Sequence, residues 1–337
     1  MAQTYGMKYR QGPPGAVWLL LVVALAGVMI SGPENEKPEM GGQAEPVLSA
    51  MVLREAAQQE DRVNVYDPST DSLLEMNLEE YIIHVVAAEM PAGYEIEALK
   101  AQAVAARTLT VRNRKNGGCS AREGADVCAD HGHCQAYCSD EAMEKKWGEK
   151  AAEYRKKIKE AVYATAGEIL HYGGEIIEVF YHAQSAGVTE ELAHVFSGSR
   201  PYLVSVASAE SVKPVEERLK AKTVAEKINQ AYPKAKLEAD KLAEQIAVEK
   251  QYDSGRAAAV RMGDAVLTGV QVRRALGLRS AQFTVHTEGD EVVFTTFGYG
   301  HGVGMSQAGA QAMAAAGSNY REILAHYYPG TSLEQSS

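Results

Sequence analysis

Within VVAAEMPAG, Val85 to Gly93, Glu89 is the only charged residue. A surface carboxylate needs no such neighbours. An acid that must donate a proton near neutral pH is served by apolar surroundings, because they penalise its anion. Upstream, NLEEYIIHVVAAE carries Asn77 and Glu80 at capping-box spacing, so a helix should begin near Leu78. It should end near Glu89, because Pro91 disfavours helical backbone at the residue before it. Glu89 then sits at a helix C-terminus, where the macrodipole also opposes a negative charge. The setting suits general acid chemistry.

A second group of residues lies in FGYGHGVGMSQAGAQAMAAAG, Phe297 to Gly317, where Gly298, Gly300, Gly302 and Gly304 alternate before a helix. No lysine follows, and the spacing is neither that of a P-loop nor that of a dinucleotide fingerprint, so nucleotide binding is set aside. The glycines instead allow the backbone to approach a ligand or another segment closely. Tyr299 and His301 would project from this loop into a cleft, with Gln307 beside them at the start of the helix. The competing reading is a tight structural loop with His301 packed in the core. A third group is YHAQSAGVTE, where His182, Gln184 and Ser185 end an expected strand. QSAG is not a nucleophile elbow and no third triad member is evident. Imidazole, amide and hydroxyl are, however, the groups that sugar hydroxyls bind.

The four cysteines, Cys119, Cys128, Cys134 and Cys138, lie in CSAREGADVCADHGHCQAYC together with His131 and His133. Both zinc and disulfides suit such a cluster in an exported chain. A thiol nucleophile at Cys134 is a remote third reading.

These groups need elements to position them. RVNVYD and VLSAMVL alternate like strands. A helix rich in alanine is expected from about Glu95 to Arg114, and a charged helix over roughly Glu141 to Thr165. Hairpins are expected around Gly173-Gly174, Gly263-Asp264 and Glu288-Gly289-Asp290, a short helix after the second of these, and helix over Met305 to Tyr328. Val212 to Lys250, rich in Lys, Glu and Ala, reads as surface helices. The mixture implies an α+β fold.

The chain has 337 residues, 46% of them hydrophobic, and a formal net charge of −10. That balance argues against a nucleic-acid partner, which wants a basic stripe. After Lys8 and Arg10 no charge occurs until Glu34, and AVWLLLVVALAGVMI, Ala16 to Ile30, fills the gap. The small-residue pattern at Ala24 to Ala26 is too early in the run for cleavage, so an uncleaved signal anchor is expected over 16–32. The positive flank leaves 1–15 in the cytosol and the rest outside. A linker over 33–46 and a folded domain over 47–333 follow.

The blocks AAEMPAGYEIEALKAQAVAART, GADVC with HCQAY, GLRSAQFTV, and GYGHGVGMSQAGAQAMAAAG with ILAHYYPGT together resemble the stage II sporulation protein D family of lytic transglycosylases. The resemblance implies hairpin-rich mixed sheets with helices packed around a substrate cleft. It implies cleavage of peptidoglycan glycan strands, stripped of stem peptides, to 1,6-anhydromuramoyl ends during septal remodelling and forespore engulfment. Glu89 would be the catalytic residue, and Arg107 matches a functionally important arginine that either contacts substrate or supports the scaffold. Cys128, His133 and Cys134 match three ligands of a structural zinc found in some members. The fourth position holds Arg122, so Cys119, His131 or Cys138 would have to serve, Cys119 being the first choice for its nearness. The expected partners are an amidase and a membrane protein of the engulfment complex, and the expected location is the engulfing membrane on the mother-cell side. Two other functions compete: a glycan-binding protein without catalysis, and a zinc amidase, which the absence of an HExxH-like set disfavours.

Overall fold

The side-chain oxygen of Asn77 accepts hydrogen bonds from the amides of Glu79 (2.9 Å) and Glu80 (3.3 Å), and a helix starts at once and runs Leu78–Glu89. The structure is a computed structural model that describes residues 61–336. The expected anchor, linker and VLSAMVL strand lie outside the described residues. No helix among the described residues is long and apolar enough to cross a membrane.

The next helix, Ile96–Lys115, is the centre of the first apolar core. Ala98, Ala101, Ala103, Ala105 and Ala106 point to several sides and are all buried. Their small side chains let five elements approach one helix: the helices Leu78–Glu89, Ala151–Ala164, Gln307–Ala315 and Tyr320–Tyr327, and the strand Glu168–Tyr172. That strand pairs antiparallel with Ser332–Gln335 and with Glu175–Ile176 across the expected Gly173-Gly174 turn. A small sheet, with Arg62–Asp67 between antiparallel Ser72–Asn77 and parallel Val127–Cys128, ties the cysteine loop to the core.

A second apolar core gathers Val224, Ile228, Val260, Val272, Phe283 and Phe294. Two three-stranded antiparallel sheets and the helices Ala221–Ala231 and Gly269–Leu276 form it. Ala257–Met262 lies between Ile246–Gln251 and Ala265–Leu267, and Glu291–Thr296 lies between Phe283–Glu288 and Val215–Lys220. The α+β class and all three expected hairpins are present.

Three expectations need correction. Val212 to Lys250 is not a run of surface helices: it holds the strands Val215–Lys220 and Ile246–Gln251 around the helices Ala221–Ala231 and Leu242–Gln245. VEERLK reads as helical because it is charged, yet it forms an edge strand whose Arg218 pairs with Glu288 and Glu291 on the other two strands of its sheet. The charged helix is two, Asp140–Trp147 and Ala151–Ala164, interrupted at Gly148. The last helical segment is also two, because Asn319 and Glu322 form a capping box that starts a new helix at Tyr320.

Candidate functional site

A cleft of about 860 Å³ is bordered by Glu89, Tyr181, His182, Tyr299, His301 and Gln307, among others. Glu89 reaches it as the last residue of its helix, since Met90 leaves helical backbone ahead of Pro91. Glu89 Oε1 accepts from the Ala136 amide at 2.8 Å, and Oε2 accepts from Gln307 Nε2 at 3.2 Å. Both donors are neutral. Gln307 Nε2 also lies 3.4 Å from Gln102 Oε1, while Gln102 Nε2 is buried with no hydrogen-bond partner. Beside the acid, Tyr181 Oη donates to Gln135 Oε1 (2.7 Å), and Gln135 Nε2 donates to Tyr81 Oη and Thr110 Oγ1 (3.0 Å each). Burial, and then the Glu89 charge, push the Tyr181 phenol far above its ordinary range, so it remains a donor.

The two polar motifs meet across the cleft floor. Tyr181–His182 pairs in parallel with Met305–Ser306, and Gln184 and Tyr299 exchange backbone hydrogen bonds of 3.0 and 2.8 Å. Gly300 bridges to Ser280, so the glycine-rich loop joins the two cores. Gly304 has φ +69° and a Cβ there would collide with the Phe180 carbonyl oxygen; at Gly302, with φ +88°, it would collide with the Arg256 guanidinium. Gly304→Val should therefore lower the melting temperature and abolish activity, whereas Ser280→Ala should leave activity within a few-fold. Circular dichroism melts and a glycan-cleavage assay read both; an active, fully stable Gly304→Val protein would overturn the close-packing account.

Both candidate histidines are locked. His182 is buried, with Nδ1 3.2 Å from the Val303 carbonyl and Nε2 2.6 Å from Ser185 Oγ. Burial, then the neighbouring His301, hold it well below the usual imidazole range. Nδ1–H therefore donates to the Val303 carbonyl, and Nε2 accepts from the Ser185 hydroxyl. Burial, then the Arg273 charge, push His301 down to about 3. Its Nδ1 accepts from the Val303 amide (3.1 Å), and its ring lies against those of Phe180 and Phe196. His301 is thus a packed residue that also borders the cleft. Ser185 is wholly buried, and the Gln184 amide is turned to the Ser211 carbonyl, so neither lines the cleft. Tyr299 is exposed, with the Arg279 guanidinium 4.3 Å from its ring centre.

Of the two roles weighed for Arg107, the structure favours support of the scaffold over contact with substrate. Its side chain is fully buried, Nε and Nη2 holding the two carboxylate oxygens of Glu79 at 2.8 and 2.6 Å. Its remaining bonds go to the Glu168 and Val162 carbonyls.

The cysteine loop brings Cys119, Cys128, His133 and Cys134 into one cluster, their ligand atoms all within 4.8 Å of one another. His131 is exposed and Cys138 packs in the first core, so Cys119 takes the fourth place. The cysteines are free thiols. Burial pushes the Cys134 and Cys128 thiols upward.

Sequence reasoning missed several site residues. Gln135 and Ala136 stood inside the quoted HCQAY block, directly after a metal-type ligand, and could have been found there. Tyr181 and Gln102 carried no separate signal. Arg112, Arg273 and Arg274 also border the cleft. They come from two distant helices, and only tertiary structure brings them to one surface.

A family model described as stage II sporulation protein matches residues 66–172. The chain is 33% identical over 326 residues to stage II sporulation protein D of Bacillus subtilis strain 168, covering 94% of each chain. It is 36% identical over 274 residues to the protein of that name from Bacillus amyloliquefaciens, covering 81% of this chain and 79% of that one. A weaker likeness, 25% over 300 residues, joins it to a protein named amidase enhancer in Bacillus subtilis strain 168, covering 74% of this chain and 39% of that protein. With a cleft acid, a glycine-rich floor and a cysteine loop carried on a chain that similar along nearly its whole length, the protein belongs to the stage II sporulation protein D family.

Proposed function

We propose that the protein is a lytic transglycosylase that cuts the MurNAc–GlcNAc bond of peptidoglycan strands stripped of stem peptides. The observation that carries this reading is the single available carboxyl group. Two glutamates border the cleft, but Glu178 is paired with Arg200 at 2.9 Å, which leaves Glu89. Ordinary glycosidases need two carboxyl groups. A lytic transglycosylase needs one, because the sugar supplies the nucleophile. Glu89 gives its proton to the glycosidic oxygen as the bond from C1 to that oxygen breaks. The 6-hydroxyl of the same muramoyl unit then bonds to C1, and its proton returns to the Glu89 carboxylate. No water is consumed and the acid is regenerated. The Ala136 and Gln307 donors orient the carboxyl group without adding charge to it.

Zinc fits the cysteine loop. A tetrahedral zinc with Zn–S of ~2.3 Å and Zn–N of ~2.0 Å holds its donors about 3.5–3.8 Å apart. Four of the six donor separations are 3.3–3.6 Å, and all six lie within 4.8 Å. Four protein ligands leave no open position, so the ion would be structural and would brace the loop whose Ala136 amide holds Glu89. Purified protein should contain close to one zinc per chain, and Cys128→Ser or Cys134→Ser should lower metal content, melting temperature and activity together. Two disulfides and no metal on mass analysis would overturn this.

The expected N-terminal anchor and this chemistry together support an extracytoplasmic enzyme on the engulfing membrane. The likeness to a protein named amidase enhancer supports an amidase as working partner. Mass spectrometry of digested, peptide-free strands tests the reaction. Anhydro ends are expected; free stem peptides released from intact wall would indicate an amidase, and no product a binding protein.

A further inference from the structure

Arg112 on the central helix, and Arg273 and Arg274 on the helix Gly269–Leu276, all border the cleft. Among the described residues none of the three forms an ion pair. Carboxylate partners are plentiful in a chain of net charge −10 with 44 acidic residues. Arg107, Arg114, Arg155, Arg200, Arg218 and Arg321 all hold carboxylates. Of the nearby acids, Glu178 is paired with Arg200, Glu89 is held by two neutral amides, and Glu217, whose charge acts on Arg273, accepts from the Arg279 amide. Arg273 is anchored by its Nε to the Arg279 carbonyl at 3.2 Å, which leaves its terminal nitrogens available. Burial, then the adjoining Arg274 charge, hold Arg273 below its ordinary range, so an anion between them would relieve both costs.

A glycan strand offers one kind of anion. N-acetylglucosamine is neutral, and the lactyl carboxyl group of N-acetylmuramic acid is neutral while it is amide-linked to a stem peptide. Once that amide is hydrolysed, every muramoyl unit carries a carboxylate. Planar guanidinium groups bind carboxylates through paired, charge-assisted hydrogen bonds. Resting on the glycan-cleaving reading above, we propose that Arg273 and Arg274 are specificity-determining residues that bind the free lactyl carboxylate, with Arg112 adding to the same field. The enzyme then selects strands by the charge that peptide removal uncovers, and amide hydrolysis must precede it.

The test is equilibrium binding to the full chain carrying Glu89→Gln, so that turnover plays no part. Three strand preparations are compared: stripped, stripped with every lactyl carboxylate converted to its methylamide, and peptide-bearing. Stripped strands should bind at least about 10-fold more tightly than the other two, as expected for a lost charged hydrogen bond. Arg273→Gln with Arg274→Gln should weaken binding of stripped strands by about 10- to 100-fold and of methylamidated strands far less. Arg274→Gln alone, at an exposed position, should show the same bias in a protein that melts as the parent does. With Glu89 restored, the loss should fall on KM rather than kcat. Equal binding of stripped and methylamidated strands, or equal weakening of both in the variants, would overturn the inference. Tight binding of peptide-bearing strands would overturn it too, by assigning the arginines to peptide carboxylates. Failure of the wild type to form anhydro ends would sink the proposed reaction while leaving the binding comparison to decide this point.

Discussion

Glu89→Gln is expected to fold as the parent does and to cleave stripped glycan about 10²–10⁴-fold more slowly, the usual worth of general acid–base assistance. The substitution keeps an oxygen for the Ala136 amide and keeps the shape of the side chain. What it removes is the proton for the leaving oxygen. Stability should hold or rise slightly, because a half-buried acid becomes a neutral amide. Glu95→Gln is the proper comparison, since Glu95 is exposed at the start of the next helix. Glu97 is not, because it holds Lys100 Nζ at 2.7 Å and the Tyr320 amide at 2.9 Å. The readout is release of anhydro-ended fragments, with folding checked by circular dichroism. A folded Glu89→Gln protein that retained more than about a tenth of normal activity, above that acid–base range, would remove Glu89 from the acid's role.

Arg107→Ala should cost about 3–5 kcal/mol of stability, the cost of stranding one member of a buried ion pair. Glu79 would be left nearly inaccessible, with only the Gly167 amide (3.1 Å) to hold it. The damage should spread, because the pair joins two helices to the Val162 and Glu168 carbonyls. Arg107→Lys should recover part of the loss, since an ammonium restores charge but not the paired geometry. Replacing both partners, Arg107→Met with Glu79→Met, should be more stable than Arg107→Ala, as apolar replacements of buried pairs often are. Denaturant titrations measure all three. An Arg107→Lys protein of unchanged stability but greatly reduced kcat would mean that the guanidinium reaches substrate after all.

The helix around Glu89 could be read in the sequence because its signals are local: Asn77 starts it and Pro91 ends it within a few residues. The three hairpins were legible for the same reason, each turn having glycine or aspartate at its tip. VEERLK was not. Its charged residues suit a helix as well as an edge strand, and only the partner strand Glu291–Thr296 decides between them. At the site, Glu89, the glycine-rich loop and the metal-type ligands stood out by residue type. Arg107 stood out too, but type could not say whether it faced substrate or Glu79. Gln102, Tyr181 and the cleft arginines have ordinary local contexts, and their meaning comes from elements far apart in the chain.

The unpartnered Gln102 Nε2 beside Gln307 has a consequence for the proton cycle. In the arrangement described, Gln307 Nε2 donates to the carboxylate and its second contact is to Gln102 Oε1. Rotating both terminal amides by half a turn reverses this. Gln307 then presents its oxygen to the acid, Gln102 Nε2 donates to that same oxygen, and the Gln102 oxygen takes the buried place that the nitrogen held. The first orientation matches ionised Glu89 and the second matches protonated Glu89. Two neutral side chains can therefore follow the proton out to the glycosidic oxygen and back from the sugar hydroxyl, so that neither half of the cycle leaves the acid facing the wrong kind of hydrogen-bonding group.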